Sequence, residues 1–221
     1  MLELKAVEQK NEVTVLEAYG SENFASFDQS ALIESLLRKV KTARNEIVDV
    51  EPGEYEVILA PRCIGEFIMY LTSGMTARSL DSNQSFFADK VDKEVFPANI
   101  TIYDSPHEPD MMNFDYNSDG MLYEKLMLIE KGVFRNFYVN NYYSHKLKME
   151  KHGADGAAIV METGDSGLEE MISGVSNGLY ISSLHYMNFI NQKETSLTGL
   201  TRDGTFLIEN GKLTKVVNNL R

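Results

Sequence analysis

The amino-acid sequence predicts an α+β fold in which antiparallel β structure dominates the C-terminal part. Two hairpin patterns support this: residues 206–209 and 213–217 alternate in polarity around Asn210-Gly211, and 126–129 and 133–139 flank a Glu-Lys-Gly turn. Asn-Gly accepts positive φ at both turn positions, so the last hairpin is the stronger prediction, within a tandem of short strands. Helical spacing of apolar residues is limited to a few stretches.

The front of the chain predicts a strand followed by a helix. Residues 12–19 fit a strand, and residues 28–44 place leucine, isoleucine and valine at helical spacing, among them Ile33 and Leu37, after a plausible N-cap at Asp28. Pro52 and Gly53 interrupt the helical pattern. We therefore expect a short α/β segment at residues 1–48 and a larger domain at 49–221.

Further elements are expected within the larger domain. Residues 55–60 fit a strand, and residues 64–80 have one apolar helical face that predicts a single helix. Ser166 and Glu169 match a capping box at the start of a later helix. His107 lies in an acidic loop with Asp104, Glu108 and Asp110, where surface salt bridges are expected in preference to a metal site.

Composition excludes several classes of function. The chain has 221 residues and a net charge of -12, which disfavours nucleic acid and anionic lipid because both are bound through lysine and arginine. The single cysteine, Cys63, cannot form an internal disulfide, so a cytoplasmic location is expected. No signal-peptide core or run of about 20 apolar residues is present, so no membrane association is expected.

The strongest family signature lies in the residues from Asn177 to Lys212, which include Thr201-Arg202-Asp203-Gly204 and several glycines in a characteristic order. This stretch resembles the C-terminal end of proteins of the TldD/PmbA family. These proteins are metallopeptidase-related and long labelled modulators of DNA gyrase. Residues 52–59, 99–104 and 128–133 resemble other parts of the family's C-terminal domain. The resemblance implies that residues 49–221 form this domain and that residues 1–48 are a remnant of the family's N-terminal α/β domain.

The resemblance also bears on catalysis. Catalytic members carry a His-Glu-x-x-x-His helix after the Pro-Gly-x-Tyr strand, and a later cysteine completes their zinc site, in which the glutamate activates water. The matching positions here are Met69, Tyr70 and Gly74, and Leu184 and His185 stand near the cysteine position. None of the three motif positions supplies a zinc ligand, so no cofactor is expected.

This departure resembles the PmbA branch, also called TldE, whose members pair with a TldD-type subunit. The resemblance implies a metal-free subunit of a peptidase system that processes peptides. Two alternatives remain open: a non-enzymatic dimerisation or scaffold module that forms a homo-oligomer, and an inactive remnant of the family.

Three further features have competing interpretations. Asp115, Asn117 and Asp119 match the first half of a calcium-binding loop, but residue 126 is leucine where a bidentate carboxylate is required, and Asx residues also favour turns. Arg202 and Asp203 are interpreted as a turn with a structural ion pair, or as substrate contacts, and His185 is likewise a candidate for a substrate contact or a structural role. Cys63, just before a predicted helix, is either a thiolate nucleophile or a buried structural residue.

Overall fold

The structure is a computed structural model, and it describes residues 1–21, 23–109, 111 and 114–221. The helices are α1 (Gln29–Ala43), α2 (Pro61–Ser73), α3 (Ala77–Asp81), α4 (Asn141–Leu147) and α5 (Leu168–Gly174). The strands are β1 (Leu2–Glu8), β2 (Val13–Tyr19), β3 (Ile47–Val48), β4 (Glu56–Leu59), β5 (Ile102–Asp104), β6 (Leu126–Glu130), β7 (Val133–Phe134), β8 (Ile159–Met161), β9 (Asn177–Asn191), β10 (Ser196–Glu209) and β11 (Lys212–Val217). The prediction of an α+β fold is confirmed.

The chain forms two compact units. Unit 1 comprises residues 1–67, 165–188 and 198–221, and unit 2 comprises residues 68–164 and 189–197. The domain boundary expected after residue 48 stays a prediction. Within the described ranges, no helix combines the length and apolarity needed to cross a bilayer.

Unit 1 is built on a five-stranded sheet in the order β3-β11-β10-β9-β4, and β1 and β2 form a separate antiparallel pair. β10 and β11 are antiparallel, whereas β4 pairs with β9 and β3 pairs with β11 in parallel. One apolar core of this unit includes Val15, Phe206 and Ile208.

The hairpin at the end of the chain is confirmed. Asn210 and Gly211 have φ values of 51° and 73°. A Cβ on Gly211 would lie 2.9 Å from the carbonyl oxygen of Ser173, so close packing also requires glycine here. The expectation of short strands was wrong, since β9 and β10 have 15 and 14 residues.

The helix expected at residues 28–44 is confirmed as α1. The Asp28 carboxylate caps it by accepting a hydrogen bond from the Ala31 amide at 2.9 Å. Its apolar pattern is a poorer guide to burial, because Ile33 and Leu37 are exposed whereas Lys39 is buried. A buried ammonium group therefore occupies the side of α1 that packs inward.

The single helix expected at residues 64–80 was wrong. α2 ends at Ser73, and α3 begins after Thr76, whose hydroxyl accepts a hydrogen bond from the Ser79 amide at 3.0 Å. The apolar pattern continues past residue 73, but the N-cap at Thr76 starts a separate helix within it. The expected capping box was also wrong, since α5 starts at Leu168 and its N-cap is Gly167, which makes no side-chain cap.

Unit 2 is built on a four-stranded antiparallel sheet in the order β7-β6-β5-β8. Its core includes Phe87, Leu128 and Phe134. The expected hairpin forms, but its second strand, β7, has only two residues. At the turn, Gly132 has φ of 83°, and a Cβ there would lie 2.1 Å from the Phe96 carbonyl oxygen, so only glycine fits.

Candidate functional site

The three positions predicted from the sequence to match the family's zinc motif lie at the end of α2. Met69 is 56% exposed, and the Tyr70 ring packs edge-to-face on Phe189 with centroids 5.1 Å apart. Gly74 follows the last helical residue and is buried, and a Cβ there would lie 3.3 Å from the Leu71 carbonyl oxygen. The backbone at residue 74 therefore leaves little space for any side chain, least of all an imidazole.

This donor set does not fit zinc. It consists of a thioether, a phenol and a residue without a side chain, whereas zinc sites in proteins use thiolate, imidazole or carboxylate. Nearby hydroxyls are also engaged, since Thr72 donates to the Ile68 carbonyl at 2.8 Å and Ser73 to the Tyr70 carbonyl at 2.7 Å. Across the part of the chain that the structure describes, no three or more His, Cys, Asp or Glu side chains cluster as metal ligands.

In unit 1, the structure brings two residues singled out in the sequence together. His185 Nε2 lies 3.5 Å from Asp203 Oδ2, and Lys5 Nζ lies 3.9 Å from the same oxygen. The Asp203 side chain is only 9% exposed. Arg202 and Asp203 lie inside β10, so the expected turn was wrong, and Asp203 pairs with Lys5 and His185.

The backbone at Asp203 is unusual for a strand. Asp203 and Gly204 have φ values of 54° and 114°, which is a left-handed excursion that aspartate tolerates better than most residues. A polar cavity of about 350 Å³ lies here, lined by Arg202, Asp203 and Thr205 among others. The Thr205 hydroxyl is buried and makes no hydrogen bond to any described residue. A substrate contact at Arg202 or Asp203 stays a prediction.

Side-chain oxygens of the calcium-like loop accept hydrogen bonds from backbone amides of the protein. Asn117 Oδ1 accepts hydrogen bonds from the amides of Asp119 and Met121, both at 3.0 Å. Asp119 Oδ2 accepts from the Asn141 amide at 2.8 Å. The Asn117 bonds are turn chemistry, the Asp119 bond is to a residue of α4 outside the loop, and Asp115 is exposed.

Cys63 lies in the first turn of α2 and is buried. Its Sγ donates to the Ile181 carbonyl oxygen at 3.4 Å, and burial raises the pKa of the thiol to about 11. A thiol that stays protonated at neutral pH is a poor nucleophile. The geometry therefore favours the structural interpretation of Cys63.

Sequence reasoning misjudged Asp104. It was expected in a surface salt-bridge loop, but it lies at the end of β5 and is fully buried. Its carboxylate accepts hydrogen bonds from the Tyr123 hydroxyl at 2.9 Å and from the amides of Gly156 and Ala158 at 2.7 and 3.1 Å. His107 is exposed, and Asp110 lies outside the described residues. Asp104 is a structural anchor that joins three segments of unit 2.

Known proteins of one family are similar to this chain in sequence and in fold. Residues 52–221 match the family model of the PmbA/TldA metallopeptidase C-terminal domain. A zinc metalloprotease TldD homolog from Saccharolobus solfataricus is 25% identical over 176 residues, which cover 72% of this chain and 39% of that protein. The metalloprotease PmbA of Escherichia coli O157:H7 is 22% identical over 188 residues, covering 80% of this chain and 41% of that protein.

Among solved structures, TldE from Thermococcus kodakarensis superposes with a TM-score of 0.82 at 22% identity. The match covers 97% of this chain and 52% of that one. The chain thus spans about two fifths of the length of these curated relatives and about half of the TldE chain.

Proposed function

We propose a function on the premise that this chain belongs to the PmbA/TldD metallopeptidase family, whose C-terminal domain it contains. It acts as a PmbA-like, metal-free subunit of a peptidase system, and a TldD-type partner supplies the zinc. The observation that carries this proposal is the end of α2, where Met69, Tyr70 and Gly74, which are predicted to stand at or near the positions of the zinc motif, do not form a zinc ligand set.

The local packing supports loss of the metal site rather than its displacement by one residue. Tyr70 is held against Phe189, and Gly74 is buried beside Leu71 and Phe87. Moving the motif by one position would place Ile68, Met69 and Ser73, or Tyr70, Leu71 and Met75, at the ligand positions, and neither set fits zinc. The substrate of the assembled system is proposed to be a peptide, and its location the cytoplasm, where a reduced Cys63 is stable.

The first test measures zinc and hydrolysis together. The purified chain is dialysed, its zinc is measured by mass spectrometry, and cleavage of a fluorogenic peptide library is followed with and without added zinc. We expect substoichiometric zinc and no metal-dependent cleavage, because α2 offers no ligand set. One tightly held zinc per chain, with cleavage by this chain alone, would contradict the proposal.

The partner is tested by mixing. Co-expression with the TldD-type protein of the source organism should give a complex on size-exclusion chromatography, with cleavage confined to fractions that contain both chains. The control is the same partner carrying glutamine in place of its motif glutamate, which should still bind but not cleave. A homo-oligomer that ignores the TldD-type protein would instead support a scaffold module.

A further inference from the structure

A cavity of about 340 Å³ in unit 1 is not used by the proposed function. It is lined by residues of α1, α5 and the turn between β10 and β11, with Tyr180 of β9 among them. This volume lies in the range of small-ligand sites. Its charge and its wall chemistry together indicate what kind of ligand it fits.

The lining is cationic in an acidic protein. The chain has 21 basic and 33 acidic residues, yet Arg38, Lys39, Lys41 and Lys212 all line the cavity, with Glu169 as the one carboxylate among its lining residues. The net negative charge of the chain disfavours nonspecific binding of anions to its surface. The cationic cavity is a local exception to this charge. A local positive field of this kind attracts an anionic group.

The buried part of this charge is Lys39. It is only 5% exposed, and its Nζ donates to the Leu16 carbonyl at 3.0 Å and pairs with Glu17 at 2.8 Å. An ammonium has three donors, and these contacts use two. The Tyr180 ring lies 5.5 Å from the same nitrogen, and burial raises the pKa of the Tyr180 phenol, so it stays neutral.

The exposed part consists of three cations, Arg38, Lys41 and Lys212. Arg38 pairs with Glu169 at 2.7 Å. Lys41 and Lys212 form no ion pair with any residue in the described ranges. Lys41 lies in the last turn of α1, where a cation also complements the helix dipole, but that explanation does not extend to Lys212 on the hairpin.

Much of the remaining wall is apolar, although Ser35, Thr42 and Asn45 also line the cavity. Leu168 and Ile172 of α5 and Leu213 of β11 contribute aliphatic side chains. A bare inorganic anion would leave this surface wet, whereas a ligand with a carboxylate at one end and an aliphatic group at the other would cover it. The cavity thus combines an anion-binding end with a hydrophobic wall.

We propose that this cavity binds the C-terminal carboxylate of a peptide whose last residue is apolar. The carboxylate lies among Lys39, Lys41 and Lys212, and the last side chain packs on Leu168, Ile172 and Leu213. The choice of a peptide rests on the proposed function, whereas the carboxylate and the apolar group follow from the cavity itself.

The test is direct binding by calorimetry, with no hydrolysis or metal involved. The probes are acetyl-Gly-Gly-Gly-Leu with a free carboxylate, the same peptide as the C-terminal amide, and acetyl-Gly-Gly-Gly-Gly with a free carboxylate. We expect the first to bind about tenfold more tightly than either of the others, because each lacks one of the two recognised groups. Equal binding of acid and amide would overturn the proposal, as would tighter binding of inorganic phosphate.

Charge variants locate the site. Lys41→Gln and Lys212→Gln should each weaken binding roughly three- to tenfold, since each removes a charge near the carboxylate. Lys10→Gln removes one exposed charge of unit 1 outside the cavity lining and should leave binding unchanged. Equal loss with Lys10→Gln, or no binding of the free acid at millimolar concentration, would overturn the proposal. This experiment does not measure zinc. Failure to bind the peptide would therefore not contradict the proposal of a metal-free subunit, and finding zinc in the chain would not contradict the peptide site.

Discussion

The two units stabilise their buried ionic groups in different ways. In unit 2, Asp104 is fully buried, and its three hydrogen-bond donors, one phenol and two backbone amides, are all neutral. In unit 1, Lys39 is buried beside Glu17, and the Asp203 side chain, which is 9% exposed, lies beside His185 and Lys5. In both units the buried group has polar partners, but these partners are neutral donors in unit 2 and charged or titratable side chains in unit 1.

This difference in partners distinguishes a structural group, Asp104, from groups that line candidate ligand sites. The donors of Asp104 belong to two segments of unit 2, one with Tyr123 and one with Gly156 and Ala158, and are fixed by its fold, so its carboxylate holds those segments and β5 together. Lys39 and Asp203 each line a cavity, where a ligand can reach them. We therefore expect changes at Asp104 to reduce stability strongly, and changes at the unit 1 groups to alter stability less.

The largest expected effect is at Asp104. Asp104→Ala should lower the free energy of unfolding by about 3–5 kcal/mol, because it leaves the Tyr123 hydroxyl and two amides buried without an acceptor. Urea denaturation followed by circular dichroism measures it. Asp115→Ala removes an exposed carboxylate of the same unit and should change stability by less than about 0.5 kcal/mol. Similar values for the two variants would show that Asp104 is not an anchor.

A second prediction concerns Cys63, a titratable group in the interior of unit 1. Burial raises the pKa of its thiol to about 11 from an ordinary value of 9.0. Below pH 9 the thiol is neutral in both states and its contribution to stability is fully present. As pH rises from 9 to 11 the unfolded state ionises first, so stability falls by about 2 kcal/mol.

The comparison protein for this test is Cys63→Ala, which lacks the titration. Tyrosines and lysines that titrate in the same window are present in both proteins and cancel. The stability of the native chain relative to Cys63→Ala should therefore decrease between pH 8 and pH 10.5. A difference that does not change with pH would mean that the thiol is not shielded from solvent.

Local signals in the sequence predicted local structure well. Asp28 marks the start of α1 because its side chain reaches an amide three residues away, and Asn210-Gly211 marks a turn because both residues adopt positive φ. The same logic explains the miss at residues 64–80, where the apolar spacing was given more weight than Thr76, a good N-cap.

Interactions between distant residues could not be predicted in this way. The donors to Asp104 are 19 to 54 residues away along the chain, so nothing in the acidic loop indicates burial. His185 and Asp203 meet because β9 and β10 are neighbours in the sheet, at a register that the sequence pattern does not specify. The family resemblance identified both residues as worth attention, but their pairing is a result of the fold.

The smallest expected effect is at Asp203. Asp203→Asn removes the charge that faces Lys5 and His185, but these contacts are 3.9 and 3.5 Å long and Lys5 is half exposed, so we expect a loss below about 1 kcal/mol. Asparagine also accepts the φ of 54° at this position, whereas alanine does not do so readily. Asp203→Ala should therefore cost about 1 kcal/mol more than Asp203→Asn in urea denaturation. If Asp203→Asn instead destabilised the chain as much as Asp104→Ala, the unit 1 carboxylate would be an anchor like the other, and the distinction between the two units would fail.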